Sequence, residues 1–120
     1  MKNQFQLLIA IILFTVTLEA FASRPHFAHI TINNGLPHQQ VSSLAQDHKG
    51  YIWIGTRNGL SRYDGYALTN YYHNPSDKHS LFCNFITCLF TDSRGRLWIG
   101  TDKGIGLYRL PTISNLFQPT

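Results

Sequence analysis

Nowhere in its 120 residues does this sequence gather charge of one sign: ten basic and six acidic side chains give a formal net charge of +4. Arg24, Lys49, Arg57, Arg62, Lys78, Arg94, Arg96, Lys103 and Arg109 form no run, whereas nucleic-acid surfaces cluster Lys and Arg on one face or segment. A nucleic-acid partner is therefore not expected. Metal-ligand spacing is missing too. His26 and His29 lie close together, but no His-x-x-x-His or Cys/His pairing accompanies them. His38, His48, His73 and His79 read as ordinary surface and turn residues. No Ser/His/Asp order or carboxylate pair stands out, and the turn positions of Asp47 and Asp92 account for both acids. No catalytic residue, metal or cofactor is expected in this stretch.

Cysteine is scarce, with Cys83 and Cys88 five positions apart in Phe82-Cys83-Asn84-Phe85-Ile86-Thr87-Cys88. An extended segment would separate their α-carbons by about 16 Å, beyond disulfide reach. A turn at Asn84 would bring them together. Otherwise both are expected to be buried as small hydrophobes.

Long apolar runs are equally scarce. The stretch Leu7 to Leu18 follows a positive start, Met1-Lys2, and precedes the small-x-small pattern Ala20-Phe21-Ala22. This is the grammar of a secretory signal peptide, and the run is short for a membrane span, which needs about twenty residues. Residues 1–22 are predicted to be a signal peptide cleaved after Ala22, with an uncleaved anchor as the alternative. No cysteine follows to accept a lipid. The mature chain is expected to be exported.

The composition is otherwise rich in what suits strands: 43% hydrophobic and 13% aromatic. Tyr51-Ile52-Trp53-Ile54-Gly55-Thr56 recurs 45 residues later as Arg96-Leu97-Trp98-Ile99-Gly100-Thr101. The same offset aligns Leu44 with Leu89, Asp47 with Asp92, Gly50 with Gly95, Gly59 with Gly104 and Tyr63 with Tyr108. A repeat of this length, made of short strands and turn residues, points to propeller blades. The fold class is therefore all-β: two four-stranded antiparallel blades of an incomplete propeller, preceded by the signal peptide.

Taken in order, residues 23–40 form an N-terminal strand, Phe27 to Ile32, and an entry segment. Residues 41–72 form blade 1, residues 73–85 a polar connector, residues 86–117 blade 2, and residues 118–120 a tail. Asp47-His48-Lys49-Gly50 and Asp92-Ser93-Arg94-Gly95 have type I turn chemistry. Asn58-Gly59 is a hairpin signal in which both residues tolerate positive φ. Asp64-Gly65 marks the next turn, before a strand from Tyr66 to Tyr72. Blade 2 continues with Ile105 to Leu110 and Ile113 to Phe117. No helix is expected beyond the signal sequence. Ile52 and Ile54 face one way and Trp53 and Gly55 the other, so both faces of this strand need cover.

At Asp47, Gly50, Trp53-Ile54-Gly55-Thr56, Gly59-Leu60 and Tyr63, the sequence resembles the two-component regulator propeller repeat. It does so again at Asp92, Gly95, Trp98-Ile99-Gly100-Thr101, Gly104-Ile105 and Tyr108. The Asn34-Gly35-Leu36-Pro37 entry and the Asn74-Pro75…Ser80-Leu81 connector are similar to the start of such sensors. The resemblance implies the periplasmic sensor region of a hybrid two-component system, with further blades, a membrane helix and kinase domains in a longer parent. It also implies a non-catalytic role and an oligosaccharide-type ligand. Arg57 and Asn58, in a blade-end turn, are candidate ligand-binding residues. Tyr63, Tyr66, Tyr71 and Tyr72 are expected in core and inter-blade packing rather than in sugar stacking. A secreted propeller enzyme of lyase or lactonase type, or a structural interaction module, are the alternative functions. Two blades do not close a ring, so residues 23–120 alone are expected to be unstable, oligomeric or partly molten, with the Phe27–Ile32 strand a clasp for the last blade.

Overall fold

A computed structural model describes residues 2–19 and 24–109. Helix α1 (Lys2–Glu19) carries apolar side chains at nearly every position from Leu7 to Phe14, and all of these are exposed. With no polar face, it has nothing to orient it against a globular core. No helix among the described residues is long and apolar enough to cross a membrane. The expected cleavage site after Ala22 lies outside the described residues.

The rest is β-structure. Strands β1 (Val41–Gln46), β2 (Ile52–Thr56), β3 (Gly59–Tyr63) and β4 (Leu68–Tyr71) form a four-stranded antiparallel sheet in sequence order. Strands β5 (Ile86–Thr91), β6 (Arg96–Thr101) and β7 (Gly104–Arg109) form a second sheet, also in sequence order. Its expected fourth strand, Ile113 to Phe117, lies outside the described residues. The first strand of each sheet has a register irregularity at the equivalent place, between Val41 and Ser43 and between Ile86 and Cys88.

Pairing register assigns the faces. Ala45, Trp53 and Arg62 are cross-strand neighbours, as are Gly55, Leu60 and Tyr71. These residues make the front of the first sheet. On the second sheet, Leu89 pairs Ile99 and Leu97 pairs Tyr108, making its back. Front meets back: Trp53, Leu60, Ile86, Leu89, Leu97 and Ile99 form one buried cluster, with Ala45, Tyr71, Leu81 and Tyr108 packed around it. Gly55 lets the sheets approach, since a Cβ there would lie 2.5 Å from Ile86 Cγ2. The Leu89 N–H donates to Ser43 Oγ at 3.0 Å across the seam.

Three local expectations are overturned. Phe27 to Ile32 is not a strand: residues 24–31 are exposed and unpaired, and Ile32–Asn34 is a 3-10 turn. Local capping wins over β-branched composition there. The Thr31 side chain accepts from Asn33 N–H, Asn34 Oδ1 accepts from Thr31 N–H at 2.9 Å, and Gly35 closes the turn at φ 99°. Asn70 then holds the Gly35 carbonyl at 2.7 Å, and the adjacent Leu36 is buried, so this segment lies over the β3–β4 side of the first sheet's back. Second, the β2–β3 loop is Arg57–Asn58 rather than Asn58–Gly59. Among the described residues no non-glycine has positive φ, so Asn58 does not take it, and Gly59, just after the loop, does, at 120°. Thr56 stabilises this loop by accepting from Asn58 N–H at 3.1 Å and donating to the Gly59 carbonyl at 2.8 Å. Third, Cys88 is exposed instead of buried, because it lies on the open front of the second sheet; both cysteines are free thiols.

Candidate functional site

The repeated motif is a hydrogen-bonding unit, and both copies build it identically. In the first, Asp47 Oδ1 accepts from the backbone N–H groups of Lys49 (2.9 Å) and Tyr51 (3.0 Å). Its other oxygen, Oδ2, accepts the Trp53 indole N–H at 2.8 Å. In the second, Asp92 Oδ1 accepts from Arg94 (2.9 Å) and Arg96 (3.0 Å), and Oδ2 accepts from the Trp98 indole at 2.9 Å. Gly50 and Gly95 close the two turns with φ 87° and 71°, each donating to its Asp carbonyl. Thr101 repeats the loop bonds of Thr56, donating to the Gly104 carbonyl and accepting from Lys103 N–H.

A single carboxylate thus shapes the turn and also satisfies a tryptophan that would otherwise bury a bare N–H. The Trp98 indole, with the Arg96 and Arg94 donors behind it, holds the Asp92 carboxyl well below the usual carboxylate range. Arg96 Nε adds an ion pair at 2.7 Å. The Asp–Trp bond went unread in the sequence, although the equal six-residue spacing in both copies was its signal.

The closing aromatics diverge. Tyr108 packs 5.4 Å from Trp53, and burial beside Tyr71 pushes its hydroxyl pKa up. Tyr63 instead donates to the Gly65 carbonyl at 3.0 Å. Of the other tyrosines, Tyr71 packs 5.8 Å from Trp53 as expected. Tyr66 and Tyr72 do not join the core: Tyr66 stands free at the β3–β4 turn, and Tyr72 is exposed beside Gly59. Asp64 shapes that β3–β4 turn, and the Ala67 and Tyr66 N–H groups it accepts lower its pKa.

Between the sheets, on the side of β4 and β7, lies a cleft of about 720 Å³. Trp53, Tyr71 and Tyr108, all at least partly buried, line it from the sheets, and the exposed residues Tyr72, Asn74, Asp77, Lys78, His79 and Phe82 line its mouth. The connector forming this mouth is ordered by its own polar side chains. Ser80 Oγ accepts from Asn74 N–H, and Asn74 and Asp77 side chains accept from Ser76 and His79 N–H. His73 Nδ1 lies 2.7 Å from the Leu81 carbonyl, which requires the proton on Nδ1. The cleft was not legible in sequence, because aromatics from three strands meet there only after the sheets stack.

The candidate pair Arg57 and Asn58 lies elsewhere. Both are exposed; the Arg57 guanidinium sits 5.0 Å over the Phe85 ring, and the Arg57 backbone N–H donates to the Gln40 carbonyl. Neither lines the cleft. The loop does abut the connector, because Gly59 N–H donates to the Asn84 carbonyl at 2.7 Å. Among the described residues, no three His, Cys, Asp or Glu side chains lie close enough to hold a metal ion.

With this geometry in view, the likeness to known proteins is informative. Residues 35–58 and 80–103 each match the two-component regulator propeller family, at the same offset as the tryptophans. The two matched segments are thus similar to regulator propeller repeats. Among curated proteins it is similar to Histidine kinase P4 of Formosa agariphila, 36% identical over 75 residues. That alignment covers 60% of this chain and 6% of the relative. Among solved structures it is similar to the extracellular domain of a hybrid two component system of B. thetaiotaomicron. The identity is 38% and the TM-score 0.56, covering 60% of this chain and 10% of that one. A second such extracellular domain from the same organism has 28% identity and a TM-score of 0.63, covering 68% and 12%. The chain therefore spans a small part of the length of these relatives.

Proposed function

We propose that this chain is a non-catalytic, extracytoplasmic ligand-sensing segment of a two-component regulator propeller, exported through the signal peptide at residues 1–22. The observation that carries the reading is the pair of in-register repeats, each with its Asp–Trp unit, in a chain similar to extracellular sensor domains. Mature residues 23–40 serve as the entry segment, 41–72 and 86–117 as blades, and 73–85 as the connector. Further blades of a longer parent are the expected neighbours, and the kinase chemistry belongs to that parent.

The ligand we propose is a glycan. The cleft combines the tyrosine rings Tyr71, Tyr72 and Tyr108 with the polar groups Asn74, Asp77, Lys78 and His79, a mix that suits a sugar's apolar face and hydroxyl edge. Arg57 and Asn58 extend this surface along the adjoining loop. Tryptophan fluorescence of the purified chain, titrated with neutral and acidic oligosaccharides, tests the reading. A saturable change weakened by Tyr72→Ala and His79→Ala is expected. No saturable response to any member of the panel would contradict the glycan assignment. Export is tested separately by fusing alkaline phosphatase after Thr120, which should be active only when residues 1–22 are present.

A further inference from the structure

The tip of the connector is a pair of chained turns closed on themselves. Asp77 N–H donates to the Asn74 carbonyl and Ser80 N–H to the Asp77 carbonyl, both at 3.0 Å. The first side chain of each turn braces it: Asn74 Oδ1 accepts from Ser76 N–H, and Asp77 Oδ1 from His79 N–H. Pro75 fixes φ at the second position of the first turn. Ser80 Oγ locks the pair, accepting from Asn74 N–H at 2.9 Å and sharing its own proton between the Asn74 and Asp77 carbonyls. Among the described residues, no hydrogen bond made by residues 74–80 reaches either sheet.

This tip is attached through a neck. His73 N–H donates to Asn84 Oδ1, and His73 Nδ1–H to the Leu81 carbonyl, both at 2.7 Å. The two ends of the loop are therefore held together. Below the neck the chain is fastened to both sheets, by Gly59 N–H on the Asn84 carbonyl and by Cys83 Sγ on Asp102 Oδ1. Above it, Asn74, Asp77, Lys78 and His79 are exposed and yet line the cleft. A loop that is bonded within itself, fastened at its base and unbonded to the walls beside it can move without losing its shape.

We propose that residues 74–80 are a lid over the cleft, swinging as one body about the His73 neck. The swing breaks none of the lid's own hydrogen bonds and none to the sheets, so it belongs to the easily opened end of the molecule's motions. Lowered, the lid sets its polar side chains against whatever occupies the cleft and shuts out water; raised, it opens the way to Tyr71 and Tyr108. Its purpose rests on the ligand-binding reading of the cleft. Its motion needs no ligand, so a failed glycan titration leaves the motion standing.

The test is a bimane label at Lys78→Cys in the full chain, with Cys83→Ser and Cys88→Ser removing the native thiols. Tryptophan quenches bimane at short range, and Trp53 lines the same cleft. Two fluorescence lifetimes differing several-fold are expected, the short one from the lowered lid and the long one from the raised lid. Trp53→Phe, in a protein with wild-type far-UV circular dichroism, should remove the short lifetime alone. A single lifetime, quenched or not, overturns the proposal, and so does a short lifetime that survives Trp53→Phe. Hydrogen exchange of the unlabelled wild-type chain supplies the second measurement. The amides of Asn74, Ser76, Asp77, His79 and Ser80 should be protected together despite their exposure, and Ser80→Ala should release all of them while the strands stay protected. Amides that exchange one by one, or a Ser80→Ala variant that frees only its nearest neighbours, would show that the loop does not move as one body.

Discussion

Trp53 and Trp98 hold equivalent strand positions and donate equivalent indole hydrogen bonds, at 2.8 and 2.9 Å, to equivalent aspartates. Yet Trp53 is 1% exposed, while Trp98 is only partly buried and lies next to the exposed rings and aliphatics of Phe90, Ile105 and Leu107. The difference is not in the strand. Trp53 faces the back of another sheet, and among the described residues Trp98 faces none. The comparison separates what the motif does alone from what stacking adds. Each Asp-x-x-Gly-x-x-Trp unit folds its own turn and positions its own indole, and burial comes from the neighbour.

That separation can be broken at several points, with unequal effects. Trp53→Ala should be the most damaging, costing about 3–5 kcal/mol in a denaturant titration, as for other large core truncations. Trp98→Ala should cost clearly less. If the two losses are equal, the sheets are not in the different situations described. Asp47→Ala should follow at about 2–3 kcal/mol, because it strands the buried Trp53 N–H and two turn donors. Asp92→Ala should be milder, since water reaches the groups it leaves. Gly55→Ala should cost about 1–3 kcal/mol by forcing Ile86 off the seam. At Gly100 the neighbour a methyl would meet is Cys88 Sγ, an exposed side chain that can rotate away, so Gly100→Ala should be better tolerated.

Acid should act on the second sheet through Asp92. Its folded pKa is depressed, so its contribution is present above the unfolded value of about 4 and is lost as pH falls through the folded value. Stability measured from about pH 5 downward should therefore decline, and Asp92→Asn should remove part of that decline. A slope identical in the variant would refute the role given to Asp92. The smallest effect concerns thiols: Cys88 should react with a thiol reagent faster than Cys83, whose Sγ lies 3.2 Å from Asp102 Oδ1.

Much of this architecture was open to reading in the residues themselves. The offset that aligns the tryptophans also aligns turn aspartates and turn glycines, and strand periodicity around Ile52–Thr56 required cover on both faces. What resisted reading depended on partners distant in sequence or on competing local bonds. Phe27–Ile32 has strand composition but pairs with nothing among the described residues, and the Thr31–Asn34 cap takes over its end. Cys88 looked buried because strand residues between hydrophobes usually are; its exposure follows from which face is open, which periodicity alone does not reveal. The equal spacing signals the Asp–Trp bonds, but a turn role alone explains Asp47 and Asp92 at the level of sequence, so the second role of each carboxylate is hidden there. The cleft needed Tyr71, Phe82 and Tyr108 to meet from separate segments. Arg57 and Asn58 sit in a loop at a strand end as expected, with the loop shifted one residue toward Arg57.

The central claim is that the two sheets stack front to back, covering Trp53 and leaving its repeat partner open. Acrylamide quenching of two single-tryptophan variants at submicromolar concentration tests it most directly. Trp98→Phe leaves Trp53 as the reporter, which should be weakly quenched. Trp53→Phe leaves Trp98, which should be quenched several-fold more strongly. Equal quenching of the two, in variants that keep the wild-type far-UV spectrum, would contradict the stacking described.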